Sequence, residues 1–121
     1  MSFTDLPLLN VLRENMSFLS KRQQVLAENI ANADTPGFRA MDIERPDFHA
    51  MLQQSMSTGG LTRGSFDITD SPDSFSGPNG NTVVLEDQMM RVAETQMDHQ
   101  AAIGVYEKSL SILRMAVRGA R

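Results

Sequence analysis

The sequence predicts an all-α protein: two long N- and C-terminal helices pair as an antiparallel coiled coil, around a poorly ordered middle segment that holds one short helix. Apolar residues recur every three and four positions at both ends of the chain. Four of the five Pro and six of the eight Gly crowd between those ends. Capping residues sit where the two periodic stretches start and stop. The chain therefore divides into 1–33, a coiled-coil helix; 34–84, a turn motif and flexible segment; and 85–121, a second coiled-coil helix.

In the first stretch Leu9, Leu12, Met16, Leu19, Gln23, Leu26 and Ile30 mark one narrow stripe, with only Gln23 polar. In the second the same template runs through Leu85, Met89, Val92, Gln96, His99, Ile103, Tyr106, Leu110, Leu113 and Val117. Alternating three-four spacing keeps such residues on one helix face, as a coiled-coil seam requires. These seventeen positions are the expected assembly seam. Thr4 or Asp5 is placed to cap the first helix, since Pro7 is tolerated in a first turn. Thr35-Pro36-Gly37-Phe38 then reads as a type II turn, with φ set by Pro and positive φ open to Gly. Pro46 can open a short helix with Phe48, Met51 and Leu52 on one face. From Ser55 to Asn81 the chain reads as loop or disorder. Asn81 or Thr82 is placed to cap the last helix, whose first turn is acidic (Glu86, Asp87) and whose last turns are basic (Arg114, Arg118). If Ala33 sits near Leu85, then Gln23 lies near Gln96 and His99 about one turn away. That would make a polar layer fixing the helix register.

Composition narrows the chemistry. The chain has 121 residues, 11 Lys plus Arg against 15 Asp plus Glu, nine Met, no Trp and no Cys. An acidic balance argues against a nucleic-acid binder. The absence of Cys excludes disulfides, thiolate metal sites and a cysteine nucleophile. No apolar run approaches the length needed to span a bilayer, and residues 1–5 do not resemble a secretory signal. His49 and His99 stand alone, so no metal or cofactor is expected. There is no G-x-S-x-G elbow and no phosphate loop. A small hydrolase thus lacks a convergent site, and no catalytic residue is assigned. Two long seams around a polar middle give too little shared surface for a stable lone subunit, so the remaining expectation is association.

The segment Leu26-Ala27-Glu28-Asn29-Ile30-Ala31-Asn32-Ala33-Asp34-Thr35-Pro36-Gly37-Phe38 closely resembles the N-terminal signature of the flagellar rod and hook axial proteins. That signature is a helix ending in A-N-x-x-T-P-G-[FY], here Ala31, Asn32, Thr35, Pro36, Gly37 and Phe38. The later Asn79-Gly80-Asn81-Thr82-Val83-Val84-Leu85-Glu86 and the ending Leu110-Ser111-Ile112-Leu113 narrow the resemblance to a short proximal rod protein. Asp34, where such proteins often carry Asn, departs mildly from the pattern. The resemblance implies a structural subunit of the bacterial flagellar basal body, not an enzyme. It would be exported from the cytoplasm by the type III apparatus and assembled in the periplasm as a helical tube of paired terminal helices. It would transmit torque from the motor ring to the distal rod and hook. Implied partners are other rod proteins, a FliE-type base-plate adaptor, and the MS-ring and export-gate proteins. The competing expectation is a cytoplasmic helical coiled-coil adaptor or export chaperone, also short, acidic and helical, which would have no use for the Thr35-Pro36-Gly37 turn.

Overall fold

A computed structural model describes residues 6–58, 66–73 and 76–119. Its elements are α1 (Pro7–Ala31), β1 (Met41–Ile43), α2 (Phe48–Thr58), β2 (Ile68–Asp70) and α3 (Leu85–Gly119). At 1.5 Å per residue, α1 is about 38 Å long and α3 about 52 Å. The two run antiparallel. Leu9, near the start of α1, shares a groove with Ser109 and Leu113 of α3, while Asn29, near its end, bonds Gln88.

Pro7 opens α1 because its missing N–H has no helical partner to lose. Leu6 holds the N-cap position in extended backbone (φ −63°, ψ 138°) and makes no side-chain cap. The Thr4 or Asp5 cap expected from the sequence lies outside the described residues. The helix closes at Ala31, two residues before the expected end. The Asn32 N–H reaches both Glu28 O (3.1 Å) and Asn29 O (3.2 Å), and its side chain bonds Glu28 O (2.8 Å). These bonds satisfy carbonyls that the last turn would leave open.

The short helix starts at Phe48 rather than Pro46. Asp47 initiates it: its Oδ1 accepts the Ala50 N–H at 3.0 Å and its carbonyl accepts the Met51 N–H. Within Ser55–Asn81, expected to be loop or disorder, α2 continues to Thr58 and β2 pairs antiparallel with β1, Ile43 opposite Ile68 and Met41 opposite Asp70. A three-residue strand with every residue exposed carries no legible alternation. The core gathers around Phe18, 1% exposed, with Leu19, Val25, Ile43 and Ala102 buried beside it. Phe48 and Phe66 meet the Phe18 ring edge-on at 6.1 and 5.7 Å, an arrangement that aromatic quadrupoles favour. The Arg45 guanidinium lies 5.6 Å from the same ring. Phe18 thus joins α1 to both halves of the middle segment.

Candidate functional site: a docked turn and the open faces of the helix pair

The turn after α1 has the predicted geometry. Phe38 N–H bonds Thr35 O at 3.2 Å, and Gly37 takes φ +74°. It is also clamped onto the segment leading into α3. Asn81, 4% exposed, donates its side-chain amide to Asn32 O (2.9 Å) and Thr35 O (2.7 Å). Gly37 N–H bonds Asn79 O (3.0 Å), Thr82 N–H bonds Phe38 O (3.0 Å), and Ala40 N–H bonds Thr82 Oγ1 (2.8 Å). Asn81 and Thr82 therefore do not cap α3 as expected. They fasten the end of α1 to the approach of α3, and Asn81 Oδ1 is taken by the Val83 N–H at 2.7 Å. A Cβ at Gly37 would meet nothing within 4 Å, so Gly37→Ala costs only backbone strain. The expected loss is about 1–2 kcal/mol, read as a lower urea midpoint with an unchanged slope.

Beneath the turn a polar ladder crosses the protein. Asn29, fully buried, donates to Gln88 Oε1 (2.9 Å) and Met41 O (2.6 Å) and accepts the Met41 N–H (3.0 Å). Gln88 Nε2 donates to Asp73 Oδ2 (2.8 Å), which also accepts the Val84 N–H (2.7 Å) at the start of α3. Asp73, far off in sequence, thus supplies the negative group that a helix N-terminus favours. Arg91 bridges Asp73 (3.2 Å) and Asp42 (3.5 Å), and Arg22 grips both Asp42 oxygens at 3.0 and 3.2 Å. Each charge has an opposite partner, as partly buried charges require. The ladder ties α1, β1, the 71–73 loop and α3 in one register. Sequence reasoning assigned none of its side chains, because each earns its place through contacts distant in the chain.

The seam residues divide between the helix pair and its surface. On α1, Leu9, Leu19 and Leu26 are buried, and Leu12, Met16, Gln23 and Ile30 half-buried. On α3, Val92, His99, Tyr106, Leu110, Leu113 and Val117 are half-buried, whereas Leu85, Met89, Gln96 and Ile103 are exposed. The first half of α3 turns Gln88, Thr95 and Ala102 inward, one residue ahead of Met89, Gln96 and Ile103. Gln88 faces inward because Asn29 and Asp73 satisfy its amide. Thr95 satisfies its own hydroxyl on Arg91 O (2.7 Å). With Gln96 exposed, the buried polar layer is Asn29–Gln88, in place of the expected Gln23–Gln96. The even seven-residue spacing of Gln88, Thr95 and Ala102 was the available signal, masked by their polarity and small size. A second exposed row, Met90, Met97 and Met115, runs along the far side of α3. Among the described residues no helix is long and apolar enough to cross a membrane, and no group of three acids or histidines gathers for a metal. The arrangement offers surfaces for other helices.

The turn lies in a stretch that known proteins share. A family model described as "Flagella basal body rod protein" matches residues 9–39, which hold most of α1 and the docked turn. The flagellar basal body rod protein FlgB of Aeromonas hydrophila is 30% identical over 115 residues, covering 86% of this chain and 87% of that protein. The chain belongs to the FlgB family of flagellar basal body rod proteins. The Escherichia coli K12 member is 30% identical over 135 residues, covering 92% of this chain and 88% of its own length. A Proteus mirabilis member reaches 55% identity over 47 residues, which are 39% of this chain and 32% of that protein. Membership makes the chain a structural component of the rod in the flagellar basal body.

Proposed function

We propose that the chain is a proximal rod subunit, exported by the flagellar type III apparatus and built into the rod through its terminal helices. There it links the motor ring to the distal rod and hook and carries torque between them. The observation that supports this reading is the helix pair clamped at the Thr35–Phe38 turn. The clamp makes the two ends of the chain one stiff unit, while Leu85, Met89 and Ile103 (41%, 58% and 36% exposed) remain open to neighbours. These seam positions contact adjacent subunits, which include other rod proteins, a FliE-type base-plate adaptor, and MS-ring and export-gate proteins. A neighbour covering such a row removes apolar area worth about 25 cal/mol per Å², and a torque-bearing joint needs many such contacts in parallel.

The test expresses the full chain in a flagellated strain lacking its own rod protein of this family. The chain should appear in isolated basal bodies and restore swimming. The Met89→Glu/Ile103→Glu variant should keep its helix content and its export, yet be absent from basal bodies. Retention of the wild-type chain in the cytoplasm, as the adaptor or chaperone reading requires, would overturn the proposal. So would full motility of the double variant.

A further inference from the structure

The loop that docks on the Thr35–Phe38 turn carries a reactive dipeptide. Only Asn79 among the asparagines precedes glycine; Asn10, Asn15, Asn29, Asn32 and Asn81 precede Val, Met, Ile, Ala and Thr. An Asn side-chain amide is open to attack by the next backbone nitrogen, and glycine, with no Cβ to hinder the approach, is the most permissive successor. Asn79 and Gly80 are both exposed, so water and base reach them in the folded chain. What holds the two groups apart is conformation. Gly80 N–H donates to Gly77 O at 3.0 Å, Gly77 N–H donates to Asn81 O at 2.8 Å, and Gly80 takes φ +79°. Asn79 has negative φ, so the loop is a type I turn closed by a left-handed glycine. In such a turn the Asn79 position has ψ of about 0°. That sets Cγ well to one side of the Gly80 nitrogen, which is itself engaged with Gly77 O. The Asn79 Oδ1 is held in turn by the Asn81 N–H at 3.1 Å.

Docking keeps this geometry in place. Gly37 N–H donates to Asn79 O at 3.0 Å, and a Cβ on Gly80 would come within 3.7 Å of the Gly37 Cα. Asn81 carries the two bonds that clamp the end of α1, to Asn32 O and Thr35 O. We propose that Asn79 is a deamidation site, shielded while the turn is docked and open while it is not. The Gly80 nitrogen, its proton taken by hydroxide or buffer base, attacks Asn79 Cγ. The new C–N bond forms, the bond from Cγ to the side-chain nitrogen breaks, and ammonia leaves. Water then opens the cyclic imide. Attack at Cγ gives aspartate, whereas attack at the former backbone carbonyl gives isoaspartate, in which the main chain runs through Cβ and Cγ. Isoaspartate lengthens the main chain by one atom between Pro78 and Gly80 and adds a carboxylate. The bond from Gly37 and the Asn81 bonds to Asn32 O and Thr35 O then fall out of register. An isoaspartyl chain therefore does not dock, and a docked chain does not form isoaspartate. On the rod reading, on which this consequence rests, the reaction removes subunits that wait too long before assembly.

Peptide mapping by mass spectrometry tests this on the full chain at mildly alkaline pH, unfolded in urea, in buffer, and in basal bodies isolated from the complemented strain. In urea Asn79 should convert about tenfold faster than any other Asn, because only Gly80 lacks a Cβ. In basal bodies the reaction runs only through opening of the turn, so its rate follows the open population and should be at least about tenfold slower than in urea. Isoaspartate should likewise be depleted from freshly isolated basal bodies relative to the unassembled chain of the same cells. A smaller difference between basal bodies and urea overturns the inference, as does another Asn that reacts as fast as Asn79 in urea. Asn79→Asp keeps a normal main chain and an oxygen for the Asn81 N–H, and should enter basal bodies as the wild type does. Its exclusion would assign the effect to the added charge and overturn the register account. Absence of the wild-type chain from basal bodies defeats the rod reading alone, and the buffer sample then decides this one. Conversion in buffer at least about tenfold slower than in urea upholds the shielding, and any faster conversion overturns it.

Discussion

Replacing Phe18 with alanine is expected to lower stability by about 3–5 kcal/mol. Small domains hold only about 5–15 kcal/mol in total, so a loss of that size threatens the whole subunit. The ring is 1% exposed and is the shared contact of Phe48 in α2 and Phe66 before β2. Removing it leaves a cavity that α1 and α3 cannot close, because the Asn29–Gln88 bond holds them in register. The loss should therefore show first in the middle segment. Protease cleavage within residues 44–58 should accelerate well before helix content falls, and urea denaturation followed by circular dichroism gives the total. Phe18→Leu fills most of the space and should cost less than half as much. Equal protection of 44–58 in Phe18→Ala and wild type would mean that the segment is held by something else.

Removing the Asp73 carboxylate is expected to cost a similar amount. Its side chain is fully shielded (0% exposed) and serves three partners: the Arg91 guanidinium, the Gln88 amide and the Val84 N–H. Its loss leaves the Gln88 amide and the Val84 N–H without their acceptor, and each buried donor so orphaned costs about 1–3 kcal/mol, whereas Arg91 keeps Asp42 at 3.5 Å. Asp73→Ala should show that full loss in thermal or urea melts. Asp73→Asn keeps an oxygen that can accept one N–H but loses the charge opposite Arg91, and should fall between alanine and wild type. Because the group is shielded, the difference should persist in high salt, where exposed pairs such as Arg39–Asp70 (63% and 51% exposed) are screened. If Asn and Ala variants are equally destabilised, charge and not hydrogen bonding is what Asp73 contributes.

Asp73 lies in the part of the chain least legible from sequence, and Phe18 packs against that part through Phe48 and Phe66. The two long helices were readable because helix periodicity is local: each turn repeats its own evidence over 25 and 35 residues. The Thr35–Phe38 turn was readable for the same reason, its geometry following from Pro36 and Gly37 alone. The β1–β2 pair was not, since three residues per strand show no pattern until paired. Phe18 fell off the expected stripe, because α1 packs on two partners at once. One row meets α3, and another, Val11, Phe18 and Val25, is buried as well. The helix α3 misled by being apolar on several sides, so counting apolar residues selected Met89 and Ile103 where Gln88 and Ala102 turn inward.

The sequence alone thus establishes a mainly helical, Cys-free chain with two long arms and a glycine turn, and carries the resemblance to the family signature. Those features depend on residues within a few positions of each other. Which face of α3 meets α1, what Asn81 and Asp73 bind, and which methionines remain exposed were decided by tertiary structure. Burying a polar side chain is favourable only once a distant partner satisfies its hydrogen bonds. Gln88 is an inward residue solely because Asn29 and Asp73 arrive beside it. Its burial turns Met90 and Met97 outward, 71% and 70% exposed.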